Sequence, residues 1–122
     1  MKLCLMALMA LGLSGPNYLP NPALTPGAVD ARLTKEVICA NGWSTKSVRN
    51  TSAKLKASVY QSYGITSYKA GQYEIDHLIS LEIGGADVKA NLWPQPYDIN
   101  INGLNLGAHT KDKVENAMHK AV

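Results

Sequence analysis

Asp76 and His77 stand side by side in YEIDHLISLEIGGADVKANLWPQP, residues 73–96. An imidazole has a reference pKa of about 6.5, so it accepts a proton near neutral pH. A neighbouring carboxylate can hold a hard cation such as Mg²⁺. Acid, base and cation together meet the needs of phosphodiester hydrolysis: an activated water, a stabiliser for charge growing on the phosphorus centre, and relief for the leaving oxygen. Each residue also has a structural reading, Asp76 as a cap or lysine partner and His77 as a satisfied buried ring. Their place inside an apolar run, followed by Gly84-Gly85 and then by Asn91, favours chemistry. Adjacent strand residues point to opposite faces, so a bulge or a strand end is expected at the pair.

The elements that must position this pair are legible in outline. Strand candidates lie around 73–78 and 91–95, joined by a loop through Gly84-Gly85, whose glycines permit a sharp turn. Trp93 reads as core, with Pro94 and Pro96 ending its strand. Upstream, Asn50, Thr51 or Ser52 caps a helix carrying Leu55, Val59 and Tyr63 at helical spacing, and Gly64 stops it. Its Tyr60 and Tyr63 can touch nucleic acid, although this spacing reads first as core. A last helix spans 110–121, with Val114, Met118 and Ala121 as its apolar stripe. Asp112, Glu115 and His119 share a face of it. On a helical wheel His119 falls nearly opposite the stripe and Glu115 on its flank, so Glu115 is better placed to meet the hairpin.

Composition narrows the class. A chain of 122 residues makes one domain, and 46% hydrophobic with 17% charged residues suits a globular one. The net charge of +3 is weak evidence for a polyanionic partner, but it hides an asymmetry. Residues 32–69 carry seven Lys or Arg against Glu36 alone, whereas residues 70–122 carry four Lys against seven acids. A basic flank beside an acidic centre suits a metal-dependent enzyme for a polyanion. Lys54, Lys56, Lys111 and Lys113 are the candidates to hold phosphates.

The opening MKLCLMALMALGLSG has a lysine, an apolar stretch too short to span a membrane, and small residues at its end, the layout of a signal peptide over 1–14. Secretion or a periplasmic location is expected, with no membrane attachment after cleavage. Residues 15–30, rich in proline, read as an extended lead-in with little core of its own. Residues 31–122 form the folded domain. With the signal removed Cys39 is the remaining cysteine, and nothing resembles paired zinc-binding cysteines. Any metal here is held by oxygen and imidazole groups.

The spacing of Asp76, His77, Gly84-Gly85 and Asn91, with Asn91 fourteen residues after His77, resembles the HNH endonuclease motif. In that motif a β-hairpin and a helix clasp one divalent metal (the ββα-metal arrangement). EIDHLISLEIGG, NLWPQP, KDKVEN and the following histidine look like a group of small exported HNH-like proteins of bacteria and phages. TPGAVD near 25–30 and the VIC around Cys39 extend the resemblance over most of the mature chain. It implies an α+β fold, a small domain with the hairpin-helix motif and an N-terminal helical region. It implies His77 as general base, Asp76 as first metal ligand and Asn91 as the brace that orients the base. Glu115 and His119 are the candidates for the helix ligand, and colicin-type relatives favour His119. Mg²⁺ is the expected ion, with Mn²⁺, Zn²⁺ or Ni²⁺ as alternatives.

Two features depart from that group. Its members tend to end the helix with Val-Cys, so the disulfide partner that the resemblance implies for Cys39 is missing before the chain stops at Val122. That bridge would contribute about 2–4 kcal/mol. Residues 98–107, DININGLNLG, also lengthen the path from strand to helix. The expected function is hydrolysis of DNA, with RNA as a second substrate. The alternatives are an exported module that binds nucleic acid or another polyanion without turnover, and an exported structural protein.

Overall fold

The computed structural model describes residues 18–121, so the signal-peptide segment lies outside the described residues. Among these residues the chain forms a small mixed domain of three α-helices and two small antiparallel sheets. A short helix α1 (Lys35–Ile38) is capped by Thr34, and the longer α2 (Ala53–Ser62) by Ser52, whose hydroxyl accepts from Leu55 N–H at 3.1 Å. A serine acceptor satisfies an N–H that the first helical turn leaves orphaned, which is why α2 begins there. Val59 and Tyr60 of α2 are buried and supply its contribution to the core.

Strand β1 (Tyr73–His77) pairs antiparallel with β2 (Leu92–Pro96), setting Asp76 opposite Trp93 and His77 opposite Leu92. β1 stops at His77, so the expected strand end falls on the acid–imidazole pair. Pro96 is the last residue of β2, as expected, whereas Pro94 lies within the strand; they stand opposite Tyr73 and Ile75. Strand N–H groups alternate sides, and Leu92, in phase with both prolines, turns its carbonyl away from β1 to accept from Thr25 at 2.9 Å. The missing proline N–H groups therefore remove nothing from the ladder. Leu92, Trp93, Val59 and Leu81 form the centre of a small core.

Between the strands run two 3₁₀ turns, Leu81–Ile83 and Lys89–Asn91. Gly85 has no alternative here: a Cβ on it would meet the Ile79 carbonyl oxygen at 1.8 Å. The segment after β2 folds as a second hairpin, β3 (Asn100–Ile101) and β4 (Leu104–Asn105), turning at Asn102 and Gly103, both with positive φ. Helix α3 (Ala108–Ala121) follows, starting two residues before the expected 110.

The described part of the lead-in has no buried hydrophobic residue and is tied to the domain by polar contacts: Thr25 is buried, its hydroxyl bonds Tyr63 Oη at 2.7 Å, and Val29 bridges Gly85. The last helix corrects an expectation. The stripe of α3 does not pack on the hairpin, because Val114 and Met118 are exposed and Ala108 is the buried residue of that helix. The helix docks through its polar face instead, Lys111 reaching the hairpin with Glu115 one turn along.

Candidate active site

His77 is buried at the end of β1, and its ring Nε2 lies 2.8 Å from Asp87 Oδ1. Asp87 comes from the loop after Gly84-Gly85 and is held on its other side by α2's lead-in. Thr51 Oγ1 donates to its Oδ1 at 2.7 Å, and the Asn50 N–H donates to Oδ2. Burial pushes the Asp87 carboxyl up, but the hydrogen bonds from Thr51, Asn50 and His77 outweigh it and hold the group below the usual carboxylate range. An ionised carboxylate only accepts, so Nε2 is the donor to Asp87, and in a neutral ring Nδ1 is the nitrogen left with the lone pair. The contact orients the ring.

Asn91 is fully buried (0% exposed) and spends both ends of its amide on the loop. Its Oδ1 accepts from Ile79 N–H at 2.9 Å; its Nδ2 donates to the carbonyls of Ile79 at 3.0 Å and Ala86 at 2.8 Å. Its own carbonyl accepts from Leu78 N–H at 2.8 Å. The residue thus ties the chain just after His77 to the chain just before Asp87.

Asp76 is buried as well. Its Oδ1 accepts the His77 N–H at 2.8 Å, and its Oδ2 pairs with the Lys111 ammonium. The same ammonium contacts the His77 carbonyl at 2.6 Å and Glu115 Oε1 at 3.1 Å. Burial pushes Lys111 down, yet Asp76 and then Glu115 overcome that and raise it above the ordinary lysine value. Of the two candidates on the last helix, Glu115 therefore shares a focus with Asp76. His119 is exposed and faces Glu82, its Nδ1 3.7 Å from Oε2. Lys113, Lys54 and Lys56 are exposed, whereas Lys111 is turned inward. Glu74, two residues before Asp76, is raised by burial first and then by Asp76 and Asp112, against the pull of Lys111 and Arg49.

Among the described residues no three His, Cys, Asp or Glu side chains converge as a metal-binding group. The donor chemistry still fits a hard divalent ion: Asp76 Oδ2, Glu115 Oε1 and the His77 carbonyl are oxygen ligands around one point, and a cation, the Lys111 ammonium, already stands there.

Sequence reasoning missed Asp87 and the inward role of Lys111. Asp87 had one visible signal, a carboxylate between the glycine pair and Asn91; its partners Asn50 and Thr51 lie 37 and 36 residues away. Comparison with protein-family models, with curated proteins and with solved structures finds no match to this chain. No helix among the described residues is long and apolar enough to cross a membrane.

Proposed function

We propose that the chain is an exported HNH-type endonuclease that hydrolyses phosphodiester bonds of DNA, and of RNA as a second substrate, on a ββα-metal site. The observations that support the reading are the buried His77–Asp87 pair and the Asp76–Glu115 focus, joined through the His77 backbone carbonyl that Lys111 contacts at 2.6 Å. His77 Nδ1 takes a proton from a water as that water's oxygen forms a bond to phosphorus; the P–O bond to the leaving sugar oxygen breaks, and that oxygen collects a proton from solvent. Asp87 holds the imidazole in the competent tautomer and stabilises the imidazolium that forms. Asn91 keeps the two ends of the loop at fixed separation, so the base stays aimed. Asp76, Glu115 and the His77 carbonyl would hold one divalent cation, Mg²⁺ in the first instance, which when bound neutralises charge on the phosphate and the leaving oxygen. Lys54, Lys56 and Lys113 are exposed and available to phosphates.

A second reading is supported by Lys111. Its ammonium already neutralises the two carboxylates, as suits a polyanion-binding module without turnover. Incubating supercoiled plasmid with the protein and Mg²⁺ or Mn²⁺ separates the two. Nicked circles that vanish in chelator support the nuclease; salt-sensitive binding without nicking supports the module.

A further inference from the structure

An open pocket of about 660 Å³ is lined by Tyr73, Glu74 and Ile75 of β1 and by Asn50 and Thr51. Its wall is aromatic. Tyr60 is buried, Tyr68 stacks on it with centroids 4.2 Å apart and an interplanar angle of 17°, and Tyr73 meets Tyr60 edge-on at 6.3 Å. Tyr68 is nevertheless 52% exposed, so the stack presents a ring to solvent rather than closing on itself. Arg49 and Lys56 stand on the same lining, and no carboxylate pairs with either among the described ion pairs. The pocket also contains Glu74, whose Oε2 is buried with no hydrogen-bond partner among the described residues. Buried polar atoms are almost always paired, so the unpaired Glu74 oxygen on this lining points to a polar ligand.

We infer that this pocket takes an unstacked base of a single-stranded nucleic acid: the base stacks on Tyr68, its polar edge meets Glu74, and Arg49 and Lys56 hold the flanking phosphates. An aromatic platform next to cations is the chemistry that binds single strands, because every base has a π-face and every nucleotide a charge. A duplex hides its bases and cannot use the tyrosines. The pocket shares Asn50 and Thr51 with the Asp87 cradle, so a strand seated here runs past His77. The inference deepens the nuclease reading by naming a preference for single-stranded segments, which negative supercoiling also opens in a plasmid, and it rests on that reading for the purpose of binding, though not for the binding itself.

Fluorescence anisotropy in chelator, with a labelled oligonucleotide of about 15 nucleotides and its duplex, tests it without turnover. The single strand binds about tenfold more tightly than the duplex, and Tyr68→Ala removes about tenfold of single-strand affinity while Tyr68→Phe keeps it. Arg49→Gln weakens binding and lowers the salt slope by about one. Equal affinity for the two forms, or Tyr68→Ala binding like the parent, overturns the inference. The plasmid assay, run in parallel, keeps the two claims apart. Nicking without a single-strand preference sinks only the pocket; single-strand binding without cleavage of any strand sinks only the nuclease.

Discussion

At the scale of single residues the site depends on how Asp87, Asp76 and Lys111 share their partners. Asp87 acts through His77 and is a positioning residue. Asp87→Asn keeps the shape but offers Nε2 a group that can donate, so the ring's tautomer is no longer imposed. Nicking kinetics are expected to show kcat down about a hundredfold with KM unchanged, and Asp87→Glu recovering part of it. A matching rise in KM would instead mark Asp87 as a strut of the loop. Lys111 is the second test. Its ammonium sits at the meeting point of Asp76, Glu115 and the His77 carbonyl, and a second cation there meets its repulsion. Lys111→Met should therefore bind Mn²⁺ about tenfold more tightly by calorimetric titration, with a larger thermal stabilisation on adding the ion. Unchanged or weaker Mn²⁺ binding would mean that these oxygens serve the lysine and not a metal.

The elements explain why the residues stay in place. β1 delivers Asp76 and His77 to the mouth of a loop whose two ends are tied by one amide. Asn91→Ala leaves the Ile79 N–H and the carbonyls of Ile79 and Ala86 without their partner in a buried site. The expected loss is about 2–4 kcal/mol by urea denaturation, with nicking falling even where the protein is folded. A loss below about 0.5 kcal/mol would place the brace elsewhere. This is the legible part of the molecule: the apolar run around Asp76 and His77, the glycine pair and the asparagine are local signals for β1 and β2, and the Asn50–Ser52 stretch is the local signal for the Ser52 cap. What stayed hidden was set by tertiary contact. Asp87 gains its meaning from Asn50 and Thr51, which no window around residue 87 contains. The α3 stripe misled because helical periodicity assigns Val114 and Met118 to a common face without saying what covers it, and the charged face of Lys111 and Glu115 took the hairpin. In residues 98–107 the Asn102-Gly103 pair, with Ile101 and Leu104 beside it, is a hairpin signal, and it turns β3 into β4 rather than only lengthening the path to the helix.

Over the whole molecule, a small core is supplemented by polar ties that reach across the chain. The lead-in reaches the far side of the domain through Thr25, Tyr63 and the Leu92 carbonyl, and the Asp30 N–H donates to the Gly84 carbonyl at 2.9 Å. Asp30 in turn is brought down to about 2 by its side-chain hydrogen bond with Arg32. A lowered carboxylate contributes stability that is present above its unfolded pKa, about 3.9, and lost as pH falls through the folded value. Acid destabilisation from Asp30 is thus expected between about pH 4 and 2, with the lowered Asp87 adding in the same direction. Arg32→Gln should return Asp30 to the ordinary carboxylate range in an NMR titration of side-chain carboxyls. A midpoint still near 2 in that variant would show that Arg32 is not the cause. The central claim is that His77 is the base of a hydrolytic site, and one comparison tests it most directly: nicking of supercoiled plasmid in Mg²⁺ or Mn²⁺ by the parent and by folded His77→Ala. The parent nicks, and the variant is slower by about 10²–10⁴-fold. A His77→Ala protein as active as the parent would contradict the account.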